Sequence, residues 1–451
     1  MSNSLLPNVI NYKDAAQDGL GVNETVDRLL RYAWIAKRTM EVALCWINPT
    51  PEWEVKEALS YHTYLAAEHA QSFRVRVSEM RNPMPDMNKS PDPRIDRFFD
   101  ELLTAVTTSE KLTALYEVLK PAVLDAYQNH FNAANPLADA PTRRILRFLM
   151  LEEKDAITWG EATMAAVGCH TEFKAHLQAY LAASGGVEGT AVPPNHLPKS
   201  RVTTPFEPDY MPRRDRRFEL QENFIFPCYH VARTEGVPLE EKTLALMCKR
   251  ALEMDVPESM ARIIAETKEQ PWSFYVDMCR QLWDEARHAM MGSVYFENLG
   301  VDWRRDIPLH PGFSIRMNMH MTTLEAHAVL YAIEQGLMPA KSGKKYEWQV
   351  TKEANNPLAK LFQDFDWADE VLHVHTGREW GIPRSGLDRR EFEALGRQKK
   401  EETSAVLDQY ADPEKQTNWW PAFVKKVLGQ ESAFVEFSDN IGGEDVLKVR
   451  S

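Results

Sequence analysis

At 451 residues the chain is long enough for two domains, and its balance of 44% hydrophobic and 26% charged residues is that of a globular protein. The formal net charge of −13 disfavours nucleic acid as a main partner, because phosphate binding needs a basic surface. No apolar run is long enough to span a bilayer, and the start of the chain has no signal-peptide pattern. We therefore expect a cytoplasmic protein that does not use a membrane.

Helical periodicity dominates the chain, because apolar residues recur at three- and four-residue spacing and alternating runs typical of strands are scarce. The pattern predicts an all-α fold built from two series of helices. The first series lies near 24–48, 52–82, 109–134 and 142–168, and the second near 239–255, 271–299, 313–337 and 358–380.

A proline-rich stretch separates the two series of helices. It spans 184–216, begins with Ser-Gly-Gly and contains six prolines. This composition is typical of an extended connector. The sequence thus predicts a first unit over 1–183, a linker over 184–216 and a second unit over 217–451.

The two series also resemble copies of each other. Matching positions are Lys37-Arg38-Thr39-Met40-Glu41 with Lys249-Arg250-Ala251-Leu252-Glu253, Glu110 and Tyr116 with Glu325 and Tyr331, and Glu153 and Gly160 with Glu370 and Gly377. The offsets drift by only a few residues, as insertions between duplicated helices would cause. Chance agreement is the alternative.

Two Glu-x-x-His motifs carry the chemistry of the second series. Of the 13 histidines, only His288 and His373 have a glutamate three positions earlier, and an aspartate precedes each of these glutamates. On an α-helix such a carboxylate and imidazole project from nearly the same face, one turn apart. Each motif can therefore supply two ligands to one metal ion.

Two such helices, with one glutamate on each of two others, resemble the ferritin-like di-iron and di-manganese carboxylate proteins. The Asp-Glu-x-Arg-His form at 284–288 is similar to that of bacterial multicomponent monooxygenases and related oxygen-activating enzymes. The second motif departs from this form with Leu372 in place of the arginine, which leaves the nearest subfamily open. The resemblance implies two tandem ferritin-like four-helix-bundle units, the second with the complete metal site.

The resemblance also implies a ligand order of Glu, Glu-x-x-His, Glu and Glu-x-x-His. In this sequence the order gives six predicted metal ligands: Glu253, Glu285, His288, Glu325, Glu370 and His373. Four carboxylates would balance two divalent ions, so the predicted cofactor is two iron ions, with manganese or a mixed pair as alternatives. Glu253 lies near a helix end, and Glu241 is the alternative at its position.

Two aspartates and two glycines flank these ligands. A ligating imidazole donates its other N–H to an acceptor, and we expect Asp284 and Asp369 each to serve the histidine of the opposite helix. An exposed helix charge is the alternative for both. Gly292 and Gly377 follow the ligand histidines by one turn, which indicates either a pocket for oxygen or substrate, or close packing of helices.

The first series keeps only part of the ligand pattern. Glu41, His69, Glu110 and Glu153 occupy the matching positions, whereas alanine stands at 66 and 156, where Glu285 and His373 would be. Three carboxylates and one histidine cannot complete the same two-metal shell. We interpret the first unit as a degenerate copy.

These features favour an oxidoreductase that activates O₂ to oxidise or oxygenate a small organic substrate, with Glu285 and Glu370 as catalytic ligands. The alternative is a ferritin-like ferroxidase or peroxide-scavenging protein, although a ferritin subunit resembles a single bundle and the five scattered cysteines lack a rubrerythrin-type iron centre. No glycine-rich nucleotide-binding loop is present, so we expect electrons from a separate reductase or from the substrate. A homodimer is the expected assembly.

Overall fold

The computed structural model describes residues 6–219, 221–436 and 448–449. Residues 1–5, 220, 437–447, 450 and 451, which fall within the predicted units 1–183 and 217–451, lie outside the described residues. Within them the regular secondary structure is helical apart from one antiparallel pair of short strands, β1 (Phe434–Glu436) and β2 (Lys448–Val449). The prediction of an all-α fold class is confirmed.

The chain divides into two compact units. An N-terminal unit comprises Met1–Ala43 and His62–Pro208, and a C-terminal unit comprises Leu44–Tyr61 and Asp209–Ser451. The change from one unit to the other after Pro208 lies inside the predicted connector 184–216. The segment 44–61, which the sequence places in the first unit, belongs instead to the C-terminal one.

Helices of the N-terminal half follow the first predicted series closely. They are α1 (Tyr12–Ala15), α2 (Val22–Ile47), α3 (Trp53–Ser78), α4 (Pro93–Leu102), α5 (Thr108–Leu112), α6 (Lys120–Ala133), α7 (Ala140–Val167) and α8 (Thr171–Ala183). A π-helical segment, Thr113–Leu119, joins α5 to α6, so the predicted helix 109–134 is one continuous but irregular element.

The C-terminal half contains the helices that carry both Glu-x-x-His motifs. They are α9 (Pro227–Val231), α10 (Leu239–Leu252), α11 (Asp255–Glu266), α12 (Trp272–Asn298), α13 (Trp303–Asp306), α14 (Gly312–His320), α15 (Thr323–Gly336), α16 (Lys344–Glu353), α17 (Pro357–Thr376), α18 (Ile382–Ser385), α19 (Arg389–Glu402) and α20 (Trp420–Leu428). A π-helical turn, Gly377–Gly381, follows α17, and two short 3₁₀ turns, Ser404–Gln409 and Pro413–Lys415, precede α20. No helix among the described residues combines the length and apolar composition that a bilayer crossing requires.

The predicted helix 313–337 is in fact two helices, α14 and α15, and the break has a local cause. The Thr322 hydroxyl accepts a hydrogen bond from the Glu325 backbone N–H, and the Glu325 carboxylate accepts one from the Thr322 backbone N–H at 2.8 Å. This capping box satisfies backbone donors that a helix start leaves free. A new helix therefore begins at Thr323.

Helix α10 lies at the centre of the C-terminal unit and is buried on almost every side. Its apolar residues Leu244, Met247 and Cys248 pack in the same core as Phe296 of α12. The buried helix also carries charged residues, which must find partners inside the protein because an unpaired buried charge is costly.

Gly292 and Gly377 are positions of close packing. A Cβ atom on Gly292 would lie 2.3 Å from the backbone nitrogen of Ala251 in α10, and one on Gly377 would lie 2.6 Å from Cδ2 of Tyr331 in α15. Both distances are far shorter than a normal van der Waals contact. The structure therefore contradicts the pocket interpretation of these glycines and supports the packing alternative.

We expect Gly292→Ala to lower the free energy of unfolding by about 1–3 kcal/mol, because the added methyl group would force α10 and α12 apart. Denaturant unfolding followed by circular dichroism measures this. Gly336→Ala, at the last residue of α15 with open space around it, is the matched control and should cause no loss of stability. Unchanged stability of Gly292→Ala would restore the pocket interpretation.

Candidate metal centre

Four helices of the C-terminal unit direct acidic and imidazole side chains into one buried cluster. Glu253 follows the end of α10, and the other members lie on α12, α15 and α17. Two sets of side chains each place their ligand atoms within 4.8 Å of one another. The first group consists of Glu285, Glu334, Glu370 and His373, and the second group of Glu253, His288 and Asp366.

The first group surrounds Nδ1 of His373. This atom lies 3.0 Å from Glu285 Oε1, 3.7 Å from Glu370 Oε2 and 3.9 Å from Glu334 Oε1. Oε2 of Glu334 and Oε2 of Glu370 are buried and accept no hydrogen bond from any described residue. Unpaired carboxylate oxygens are costly inside a protein, and a divalent cation would satisfy them.

The second group surrounds Nδ1 of His288. This atom lies 3.5 Å from Asp366 Oδ1 and 3.7 Å from Glu253 Oε2. It is also 3.3 Å from Oε2 of Glu285, whose other oxygen faces His373. Glu285 therefore lies between the two groups, with one oxygen toward each.

Two buried cations enter the same cluster. Lys344, the first residue of α16, donates from Nζ to Asp366 Oδ1 at 2.7 Å and to Oδ2 at 2.9 Å, and the same atom lies 2.7 Å from Glu370 Oε1. Arg250 donates to Asp366 and pairs with Glu253. Both cationic side chains are inaccessible to solvent.

Asp284 and Asp369 each face the histidine of the other motif helix, as the sequence predicts. Nε2 of His288 on α12 lies 3.2 Å from Asp369 Oδ2 on α17, and Nε2 of His373 lies 3.5 Å from Asp284 Oδ2. Arg287 ties the two aspartates together, since it pairs with both. An acceptor at Nε2, as His288 has in Asp369, favours a proton on that nitrogen and directs Nδ1 into the cluster.

Glu325 does not join the cluster. It is the third residue of α15, where its carboxylate caps the helix and lies 3.0 Å from Lys399 Nζ. Glu334 supplies the α15 carboxylate instead. Nine residues of helix separate the two glutamates, which is about 13 Å along the axis. Glu325 therefore belongs to neither candidate metal-binding group, and Glu334 is the glutamate of α15 that lies in the first one.

Sequence reasoning missed Glu334, Asp366, Lys344 and Arg250. Asp366 has a signal, because it lies four residues before Glu370 and so on the same face of α17. Glu334 has a weaker signal: it lies on α15, the helix from which the predicted ligand order requires one glutamate. Nothing in the sequence pattern points to Lys344, which reaches the cluster from a separate helix.

The metal-free cluster binds protons tightly. Burial by itself lowers the pKa of His288, but Asp366, Asp369 and Glu285 outweigh it and raise the pKa to about 9. The pKa of His373 likewise lies well above its usual value, because Asp284 and Glu285 outweigh burial. Both imidazoles therefore hold the second proton of the imidazolium form more tightly than an ordinary histidine does.

An open cavity of about 350 Å³ lies beside the cluster, between α12 and the end of α17. Its lining residues are Asp277, Arg280, Leu372, His375, Thr376, Arg378 and Glu379. Arg280 connects it to the cluster, because its Nε donates to both oxygens of Asp284 at 2.9 and 3.0 Å. Asp284 in turn lies 3.5 Å from Nε2 of His373, so it connects the cavity to the cluster.

The N-terminal unit has a related arrangement of a histidine, carboxylates and a lysine. His69 lies 2.7 Å from Glu152 and 3.5 Å from Glu153, and Lys120 Nζ donates to Glu153 at 3.0 Å. Although burial raises the pKa of Glu153, Lys120 and His69 lower it to about 2. Among the described residues, both candidate metal-binding groups lie in the C-terminal unit.

Comparisons with protein-family models, with curated proteins and with solved structures find no match to this chain. The case for a metal site therefore comes from the side chains themselves. The buried Glu, His and Asp groups could hold a metal ion, and their oxygen and imidazole donors suit iron, manganese and zinc alike.

We expect Glu334→Gln to weaken divalent-metal binding more than about 10-fold, because it removes a carboxylate of the first group. Glu325→Gln is the matched control on the same helix and should leave metal affinity unchanged. Elemental analysis after equilibrium dialysis against Fe(II) or Mn(II) compares the two. Loss of metal in Glu325→Gln alone would show that the original ligand assignment was right.

We also expect metal binding to release protons at neutral pH, because His373 must lose its proton before Nδ1 can bind the ion. Since the metal-free pKa of His373 is raised, affinity should increase as the pH rises. Titration calorimetry in two buffers of different ionisation enthalpy measures the protons released. Identical apparent enthalpies in both buffers would contradict the expected protonation state.

Proposed function

We propose that this chain is an oxidoreductase that uses a metal ion, iron or manganese, to activate O₂ and to oxidise or oxygenate a small organic molecule. The observation that carries the proposal has two parts: Glu285, Glu334 and Glu370 surround Nδ1 of His373 inside a helical core, and Oε2 of Glu334 and Oε2 of Glu370 have no hydrogen-bond donor among the described residues. A redox-active ion bound there would supply one-electron steps to O₂.

The protein residues have distinct roles in this proposal. Glu285, Glu334, Glu370 and His373 hold the ion, and Asp284 fixes the tautomer of His373. The ligand side chains are at most 5% exposed, so bulk water has little access to the reacting centre. Exclusion of water protects reactive species from unproductive side reactions.

We place the substrate in the cavity between α12 and the end of α17. Its lining offers the arginines Arg280 and Arg378 together with the acidic Asp277 and Glu379, so a small polar molecule suits it better than a hydrocarbon. No glycine-rich nucleotide-binding loop occurs in the sequence. We therefore assign electron supply to a separate reductase or to the substrate.

We further propose that the two units are tandem copies of a ferritin-like four-helix bundle. Gly160 packs on Tyr116 in the N-terminal unit as Gly377 packs on Tyr331 in the C-terminal one. The helix starts correspond as well, since Thr107 with Glu110 forms a capping box like that of Thr322 with Glu325. Equivalent contacts inside each unit support duplication more strongly than matching residue types alone do.

The test of function is O₂ consumption by protein purified without oxygen and loaded with Fe(II). We expect rapid uptake of O₂ with oxidation of the iron, and loss of this reaction in His373→Ala. His320→Ala, on the exposed end of α14, is the control and should react as the unmodified protein does.

Two results would contradict the proposal. Tightly bound zinc in protein purified from cells grown with adequate iron would leave no redox chemistry at the cluster. Repeated turnover of Fe(II) oxidation without any oxidised organic product would favour the ferroxidase alternative.

A further inference from the structure

Lys344 occupies the space between the two ligand groups. Its ammonium is in contact with Asp366 of the second group and with Glu370 of the first, at 2.7 Å from an oxygen of each. Where two metal ions share bridging carboxylates, a cation occupies the position between the carboxylate oxygens. Here the protein supplies that cation itself.

The charges divide unequally between the two groups. The first group has three carboxylates, Glu285, Glu334 and Glu370, and only the last touches a buried cation. In the second group the carboxylates of Asp366 and Glu253 are already matched by Arg250 and Lys344. A divalent ion at the first group reduces an excess of negative charge, whereas one at the second adds two positive charges to a balanced set.

The hydrogen bonds show the same asymmetry. Both oxygens of Asp366 accept from Lys344, and Oδ1 also accepts from Arg250. Among the described residues, Oε2 of Glu334 and Oε2 of Glu370 in the first group have no donor, whereas in the second group only Oε2 of Glu253 has none. A metal ion would satisfy two carboxylates of the first group, whereas in the second group it would have to displace the existing partners of Asp366.

The N-terminal unit contains an example of the same substitution. Glu153, which matches Glu370 in the repeat, is neutralised by the ammonium of Lys120 at 3.0 Å. No metal-binding group forms around it within the described residues. A buried lysine therefore neutralises a buried carboxylate elsewhere in this chain as well.

We propose that the cluster binds a single divalent metal ion, at Glu285, Glu334, Glu370 and His373, and that Lys344 together with Arg250 takes the place of the second ion. The inference rests on the metal site of the proposed function and replaces the two iron ions that the sequence resemblance implies with one ion. The second group then serves to hold Lys344 and His288 in position beside a one-metal centre.

The first test is the metal content and magnetism of the full-length protein loaded with excess Mn(II) and then desalted. We expect about one ion per chain, with the electron paramagnetic resonance hyperfine pattern of an isolated Mn(II). Two ions per chain with the closely spaced lines of an exchange-coupled pair would overturn the inference. This measurement needs no substitution and is independent of folding defects in variants.

The second test removes the ammonium. Lys344→Met leaves Asp366 and Glu370 without their shared cation, and we expect metal content to rise from about one toward two ions per chain. Lys249→Met is the matched control, because Lys249 is a buried lysine that pairs with Glu347 rather than with either ligand group. A folded Lys344→Met protein that still binds one ion would contradict the role given to Lys344.

A pair of glutamate variants tests the two groups separately. Glu253→Gln in the second group should keep one ion per chain with unchanged affinity, whereas Glu334→Gln in the first should lose it. Loss of metal from Glu253→Gln would overturn the one-metal assignment. The outcome is distinct from that of the proposed function, since a one-metal protein that fails to consume O₂ would contradict the function and leave this inference standing.

Discussion

Buried carboxylates must be neutralised, and this constraint organises the C-terminal unit. Five carboxylates from α10, α12, α15 and α17 meet in a space with almost no access to water. Left alone they would repel one another and take up protons. The protein meets the constraint in two ways: Arg250 and Lys344 balance the charge of Asp366 and Glu253 in the second group, and two glutamates of the first group retain unpaired oxygens that suit a metal ion.

The same constraint explains why neighbouring helices are placed so closely. Arg250 lies on α10, which is buried on nearly all sides, and it pairs with Asp366 of α17. This pairing requires α10 and α17 to lie next to each other. Gly292 permits the close approach of α12 to α10, which brings His288 into range of Glu253 and Asp366. Packing glycines and buried ion pairs thus depend on each other, and substitution of either should disturb both.

The sequence predicted the elements with strong local signals. Helical periodicity gave the positions of α12 and α17, and the Glu-x-x-His spacing identified Glu285, His288, Glu370 and His373, all of which the structure places in the cluster. Glu325 shows the limit of matching repeats, since Glu110 and Glu325 correspond because both close a capping box. Similar sequence positions in the two series of helices can reflect a shared role in folding as well as one in chemistry.

The sequence by itself determined the all-α class and the residues that share the ligand-bearing face of α12 and of α17. It could do so because periodicity and i, i+3 spacing act within a single helix. Only the tertiary structure decided that Glu334 rather than Glu325 faces the cluster, and that Lys344 lies between Asp366 and Glu370. These contacts join residues on different helices, and their geometry depends on where each helix begins and how closely it packs. Charge balance in the cluster is a property of that assembly, and no single segment of the chain contains it.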